Sequence, residues 1–391
     1  MEIMRLQEED FERAIKLSEY AFQYDVPPDQ IEKRKEMLRK HHILGIWERE
    51  DLAAKLHILP LKVWIGSKEW EMGGIAGVAT YPEYRRQGHV RELIGEALRE
   101  MKGRGQSISF LHPFDIGFYR RFGWEIISDY KKVTIEKGSL RMIKRAGGGS
   151  IKRLTKASHN HDIEAVYDQY AQRYSCMLVR SRDWWLDHVY HDLTAAVYYD
   201  EHEEPKGYVL YKLKNNLLNI HEYVAVDHIA RIQLWNFICQ HDSMVDKVEV
   251  TTSVYDPLPF FLGQPKQKVE LSPYFMGRVV DAKSFLNKYP FLETNQQVFL
   301  HVSDEAAPWN TGTYLIADGE VEFFGPKAGS QCTDPPQKGL RLTINSLSAL
   351  LLGYRKLEEL AGMGEILGPE SDIQALSRKL PSFSSFFYDF F

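Results

Sequence analysis

The stretch from Gly73 to Trp124 constrains this chain more than any other. Gly77-Val-Ala-Thr80 reads as the end of a strand, Pro82 forbids its continuation, and Arg85-Arg-Gln-Gly-His89 forms a basic turn with one glycine. Val90, Leu93, Ile94, Ala97, Leu98 and Met101 then recur at helical spacing, so a helix follows with Arg91, Glu92, Arg99 and Glu100 outward. Free backbone N–H groups at its start, the positive end of the helix dipole and a glycine that permits close approach make a seat for a phosphate or pyrophosphate. Neither GxxxxGK(S/T) nor GxGxxG is present, which disfavours an NTPase or a nicotinamide enzyme.

Downstream, Ser107–His112 reads as a strand, Pro113–Arg121 as a short helix and Phe122-Gly-Trp124 as a turn into another strand. Arg85-x-x-Gly88-x-Val90 resembles the acetyl-CoA pyrophosphate loop of the GNAT N-acetyltransferases, with valine in the last small position. Phe118-Tyr119-Arg-Arg-Phe-Gly-Trp124 is similar to the helix with a tyrosine, and the turn after it, of the same family. In front of them come a strand over Met1–Leu6, helices over Glu8–Tyr24 and Gln30–Arg39, paired strands over Ile43–Trp47 and Ala53–Ile65, and a strand over Trp70–Thr80. This βααβββαβαβ order, ending near Lys137, is what the resemblance requires.

Lys144-Arg-Ala-Gly-Gly-Gly-Ser150 is the clearest linker. Beyond it strands are expected over Ile151–Leu154, Ala195–Asp200, Gly207–Leu213, Leu217–Val226 and Lys247–Thr252, with helices over Ile163–Tyr174, Asp183–Val189 and Ile229–Gln240. That nearly repeats the first order, but Asp227-His-Ile-Ala-Arg-Ile stands where the phosphate loop belongs and has no glycine. Tyr274–Val280 reads as a linking strand, and a strand-rich unit with a hairpin turn at Ala317-Asp-Gly-Glu320 follows. The expected fold is α+β: a competent GNAT domain over 1–143, a degenerate GNAT-like domain over 151–280 and a third domain over 281–391.

Charge and cysteine content narrow the function. The 49 basic and 54 acidic residues leave −5, which gives no electrostatic reason to expect nucleic acid and suits a cationic substrate. Cys176, Cys239 and Cys332 match neither a disulfide framework nor a zinc pattern, so no metal is expected and a reducing compartment is. No run approaches the ~20 apolar residues of a membrane span, and no signal-peptide core opens the chain, so the expectation is a cytoplasmic protein without a membrane partner.

The final residues, Pro381-Ser-Phe-Ser-Ser-Phe-Phe-Tyr-Asp-Phe-Phe391, place six aromatics in the last nine positions, which calls for a groove to bury them. The α-carboxylate goes with them; in a partly apolar cleft it could act as a base, while a purely structural staple is the alternative. Two GNAT units and a unit similar to a sterol-carrier protein, in a chain of 391 residues, resemble the Eis (enhanced intracellular survival) acetyltransferases. That resemblance implies acetyl transfer from acetyl-CoA to an amine, including aminoglycosides at several positions, by a homo-oligomer, a hexamer in that family. It implies Tyr119 as general acid and the carboxylate of Phe391 as general base. It implies that Val78, Ala79 and Thr80 hold the pantetheine arm and thioester. It implies further that Arg85, Arg86, Gln87, Gly88, His89, Val90 and Arg91 cradle the pyrophosphate and that Phe114 with Asp115 line the thiol end. Acidic Asp25, Asp115 and Asp389, with Tyr24, Trp124 and Phe390 as cation–π walls, are candidates for holding the substrate. A protein lysine, an N-terminus or a polyamine as acceptor, and a lipid-binding third unit, stay open. Whether the aromatic tail enters the first unit's cleft or plugs its own unit separates the last reading from the others.

Overall fold

The structure, a computed structural model, describes residues 2–144, 147–317, 319–325 and 338–391. Its first unit runs β1 (Ile3–Arg5), α1 (Phe11–Phe22), α2 (Ile31–Arg39), β2 (His42–Glu48), β3 (Asp51–Ile65), β4 (Lys68–Thr80), α3 (His89–Gly103), β5 (Ile108–Leu111), α4 (Ile116–Arg120) and β6 (Glu125–Glu136). This is the expected order. Pro27-Pro28 separates the first two helices, and the apolar stripe of α3 is buried through Leu93, Ile94, Ala97, Leu98 and Met101.

The second unit repeats it with β7 (Ser150–Leu154), α5 (His161–Ala171), α6 (Arg182–Trp184), β8 (Thr194–Tyr199), β9 (Pro205–Lys214), β10 (Leu217–Ala225), α7 (His228–Cys239), β11 (Lys247–Thr252), α8 (Leu258–Phe261) and β12 (Lys268–Val279). A π-helical turn, Trp185–Val189, extends α6. All twelve strands form one sheet in the order β1-β2-β3-β4-β5-β12-β6-β11-β10-β9-β8-β7. The two last strands are exchanged: β12 lies between β5 and β6, antiparallel to both, and β6 pairs antiparallel with β11. The stretch read as a linking strand, Tyr274–Val280, is therefore central sheet. Its Tyr274, Phe275, Met276 and Val279 are buried because both faces of this position are covered.

In each unit one parallel pair breaks the antiparallel run, β4 with β5 and β10 with β11. A parallel pair needs a crossover, and α3 and α7 supply it. The third unit is a five-stranded sheet over Val298–Ser303, Gly312–Ala317, Glu320–Phe324, Leu340–Thr343 and Ile366–Leu367, packed by helices that include Ala282–Lys288, Ile344–Leu351 and Glu370–Lys379. The expected turn pairs Ala317 with Glu320, and its Asp318 lies outside the described residues. Arg145 and Ala146 of the expected linker and Cys332 lie outside them too, while Cys176 and Cys239 are free and buried.

Candidate active site

The basic turn expected to seat a pyrophosphate leads from β4 into α3. Pro82–Tyr84 forms a 3-10 turn after β4, Arg85 Nε donates to the carbonyl of Thr80 at 3.3 Å, and Gln87 Nε2 donates to the carbonyl of Glu83 at 3.2 Å. Gly88 precedes α3 with φ of 89°, and a Cβ there would meet nothing within 4 Å. A side chain at this position would be strained and would stand in open space where a ligand can approach. The cavity in front of it, about 930 Å³, is lined by Arg85, Arg86, Arg91, Arg99 and Arg121. Thr80 Oγ1, on its wall, is buried without a hydrogen-bond partner among the described residues, as are both ring nitrogens of His89. Five guanidinium groups, a glycine that leaves the backbone open and the unpartnered Thr80 Oγ1 fit the phosphates and polar arm of an acyl-CoA, while His89 Nε2 lies 3.7 Å from the Glu48 carboxylate.

At the corresponding place of the second unit the seat is closed. Asp227 caps α7 through its carboxylate, which accepts from the N–H of Ala230 at 2.8 Å, so acid occupies the helix start. Beyond their short parallel register β10 and β11 diverge, and the hydroxyl of Tyr388 stands between them, 3.5 Å from the N–H of Tyr223 and 3.5 Å from the carbonyl of Thr251. The tail thus fills the gap between these two strands.

In β4 the ladder to β3 slips: Lys55 pairs with Ala79 and His57 with Ala76, so Gly77 and Val78 together oppose Leu56. This bulge carries Gly77 at φ of 55°, and a Cβ on Gly77 would come within 3.2 Å of the His57 ring. Tyr119, on α4, is buried, and that burial pushes its phenol up to about 12. Asp115 accepts from the N–H of Phe118 at 2.5 Å and so starts the helix that carries Tyr119. Phe114 is 75% exposed, with its ring 5.5 Å from that of Tyr119.

The expected acceptor residues separate. Tyr24 and Asp25 line a second cavity of about 670 Å³, formed by the segment between α1 and α2 with Leu59, Pro60 and Leu61 of β3 and with Asp183, Trp184, Asp187 and His188. Its carboxylates are Asp25, Glu36, Asp183 and Asp187, and its cations Lys33, Arg34 and Lys40. Trp124, expected as a substrate wall, is instead fully buried, with its ring 6.3 Å from that of Tyr119 and the Arg278 guanidinium 5.2 Å from its centroid. Asp389, expected to hold a cation of the substrate, holds one of the protein. Arg180 Nε donates to it at 2.9 Å and Trp184 Nε1 at 2.7 Å. Phe390 is 61% exposed against the ring of His112.

The tail leaves the third unit instead of plugging it. Phe387 packs on Phe110 and Phe275, Tyr130 donates to the carbonyl of Tyr388, and Tyr274 donates to that of Asp389 at 2.8 Å. Phe391 lies beside Gly74 of β4, where a Cβ would come within 2.8 Å of its ring, and 6.5 Å from the ring of Trp184 on the acceptor cavity wall. Arg180 is the residue that sequence reading missed. It lies between Asp389 and Glu222, with its guanidinium 3.9 Å from the centroid of Tyr167 and 4.6 Å from that of Trp185. No local pattern marks it, because its partners lie 42 and 209 positions away.

Comparisons with known proteins agree with this architecture. Family models described as acetyltransferase (GNAT) domain match residues 2–127 and 176–279, and one described as sterol carrier protein domain matches 282–388. N-acetyltransferase Eis of Mycobacterium bovis is 28% identical over 201 residues, 48% of this chain and 50% of that protein. The chain thus spans about half the length of the mycobacterial relatives it matches. A protein of Enterococcus faecalis described as a probable N-acyltransferase superposes with a TM-score of 0.91 at 26% identity, over 100% of this chain and 99% of that one. Eis1 from Mycobacterium abscessus shares the fold, with a TM-score of 0.83 at 19% identity over 100% of both chains. The chain therefore carries two acetyltransferase (GNAT) domains followed by a sterol carrier protein domain, and over about half of its length it is similar to N-acetyltransferase Eis.

Proposed function

We propose that the protein is an acetyl-CoA-dependent N-acetyltransferase acting on a cationic small-molecule amine of the aminoglycoside kind. One observation carries the reading: the paired strands β3 and β4 border two cavities. Thr80 at its end borders the arginine-lined one, and Leu59, Pro60 and Leu61, which pair with Gly74, Gly73 and Met72, border the one with four carboxylates. An acyl-CoA seated on Gly88 and the arginines would bring a thioester to the bulged strand, where an amine from the other cavity can meet it.

The acyl-CoA supplies an activated carbonyl; the protein has to place it and manage protons. Backbone N–H groups of Val78 and Ala79 are assigned to the pantetheine arm and the developing oxyanion, Thr80 Oγ1 to a polar atom of the arm, and Arg85 to Arg91 to the pyrophosphate. Tyr119 is assigned to protonate the departing thiolate, and its burial supports this because the phenol stays protonated at neutral pH. The carboxylate of Phe391 is assigned as base, supported by the ring contact with Gly74. Asp25, Glu36 and Asp187 are assigned to ammonium groups of the acceptor.

The division at 1–143, 151–280 and 281–391, a cytoplasmic location and a homo-oligomer, hexameric in the family it resembles, complete the proposal. No helix among the described residues is long and apolar enough to cross a membrane.

Thiol release from acetyl-CoA with polyamines and aminoglycosides tests the reading, using the intact protein, Tyr119→Phe and a chain extended past Phe391. Multi-site acetylation lost in both variants is the expected result. Tight acetyl-CoA binding without turnover of any small amine would move the acceptor to proteins, and no acetyl-CoA binding would end the reading.

A further inference from the structure

Lys55 and His57 of β3, with His41 from the turn between α2 and β2, are three basic side chains that the proposed reaction leaves unused. Lys55 is 0% exposed. Its Nζ lies 2.8 Å from His57 Nε2 and donates to the carbonyl of Gly77, in the bulge of β4, at 3.1 Å. His57 Nδ1 in turn lies 3.3 Å from Nδ1 of His41. His41 lines the acceptor cavity. An unbroken hydrogen-bonded chain therefore runs from the cavity wall to the strand where the thioester is assigned.

No carboxylate among the described residues pairs with any of the three, and an ammonium ion buried without a counter-ion is costly. Burial, with Arg34 adding to it, pushes the Lys55 amine down to about 7. Burial first, then Lys55, His41 and Arg34, hold His57 well below the usual imidazole range. Burial first, then Arg34, His188, Lys55 and His42, push His41 down to about 4. The buried face of α1, Phe11, Ala14, Ile15, Leu17 and Ser18, brings no titratable group, and neither do Gly77, Val78 and Ala79 of β4. Both imidazoles are accordingly neutral near pH 7, and a substantial fraction of Lys55 is a free amine whose lone pair stands at the inner end of the chain.

We infer that His41, His57 and Lys55 form a proton relay that takes one proton from the acceptor ammonium, with Lys55 as the terminal acceptor. The inference rests on the acetyl-transfer reading. An ammonium loses two protons in becoming an amide; Tyr119 gives one to the departing thiolate and regains it from the attacking nitrogen by way of the Phe391 carboxylate, so the other, which must leave before attack, needs a destination. With Lys55 as the free amine, His41 carries its proton on Nδ1 and His57 carries its own on Nε2. The ammonium N–H bond breaks as His41 Nε2 gains that proton. The His41 Nδ1 proton passes to His57 Nδ1, and the His57 Nε2 proton passes to Lys55. The result is a free amine ready to attack, two neutral imidazoles with their tautomers reversed, and a Lys55 ammonium held by His57 Nε2 and the carbonyl of Gly77. The same transfers run backwards deliver the proton to water once the product leaves.

The test is acetyl transfer to an alkyl amine and to a hydrazide, which is neutral at pH 7, by the wild type, Lys55→Met and His41→Gln across pH 6–10. The relay predicts that each variant loses about 100-fold in kcat/KM for the alkyl amine near pH 7. It also predicts that both lose the wild-type rise in rate around pH 7, bind acetyl-CoA normally and acetylate the hydrazide near the wild-type rate. Alkyl-amine rates and profiles like the wild type, or an equal loss with the hydrazide, would overturn it in favour of a lysine that merely pins the bulge. If Lys55→Met does not fold, His41→Gln at the half-buried cavity wall gives the same readout. A wild type that binds acetyl-CoA but acetylates no amine would instead overturn the acetyl-transfer reading, and the relay with it.

Discussion

Arg180 and Asp389, 209 positions apart in sequence, form a buried ion pair with Nε 2.9 Å from Oδ1. Glu222 takes the other edge of the guanidinium at 2.5 Å, and Tyr208 donates to Glu222 at 2.6 Å. The last residues of the tail are thereby pinned to the second unit while their rings cross to the first.

Asp389→Asn removes one of the two charges that balance Arg180, and breaking a buried pair on one side costs about 3–5 kcal/mol. Urea unfolding is expected to show a loss in that range. Limited proteolysis is expected to cut the variant after Pro381 at protease levels that leave the wild type whole.

Gly88→Ala places a Cβ in open space but keeps a backbone at φ of 89° that alanine disfavours. The expected cost in stability is about 1–2 kcal/mol. On the proposed acetyl-CoA site the larger effect falls on the cofactor, because the methyl group would stand where the pyrophosphate is assigned. Calorimetric titration is expected to show acetyl-CoA affinity down by about tenfold or more.

Lys55 makes stability depend on pH in a defined direction. Its folded value of about 7 lies below the ordinary 10.5, so between these pH values the unfolded chain binds the extra proton. Stability attributable to this site therefore rises from pH 7 to 10.5 and is level below pH 7, where both states are protonated. Lys55→Met should flatten that rise, and be the more stable protein at pH 7 by up to about 5 kcal/mol. Unfolding curves of both proteins at pH 7 and pH 10 check it.

Tyr119 has the opposite linkage. Its folded value, about 12, exceeds the ordinary 10.0, so between the two the folded chain holds the extra proton and stability falls as pH rises. Tyr119→Phe is expected to weaken that fall and to lower kcat by about 100-fold at neutral pH, with acetyl-CoA affinity kept. Alkaline unfolding and steady-state kinetics read the two effects.

The parts of the site that were legible in the sequence are local. Pro82, Gly88 and the apolar stripe of α3 act within a few residues, so a turn and a helix start can be read without knowing what surrounds them. Lys55-Leu-His57-Ile58 was not legible, because polar and apolar residues alternate there as in a strand with one face in water. The structure covers both faces, and all residues from Leu52 to Leu59 are buried. The Phe118–Trp124 motif suggests a substrate wall at Trp124, but packing against Tyr119 and Arg278 puts its ring in the core.

Residue order alone determined the repeated strand and helix succession, the glycine turn that opens α3 and the absence of a glycine at its second copy, since each depends on backbone preferences of adjacent residues. Tertiary structure decided the exchange of β6 and β12, the burial of Arg180 between Asp389 and Glu222, the entry of Tyr388 between β10 and β11, and the chain from His41 to Lys55. Those contacts join segments far apart in the chain, and their free energy depends on which surfaces are removed from water together. That is settled only when the whole sheet has assembled.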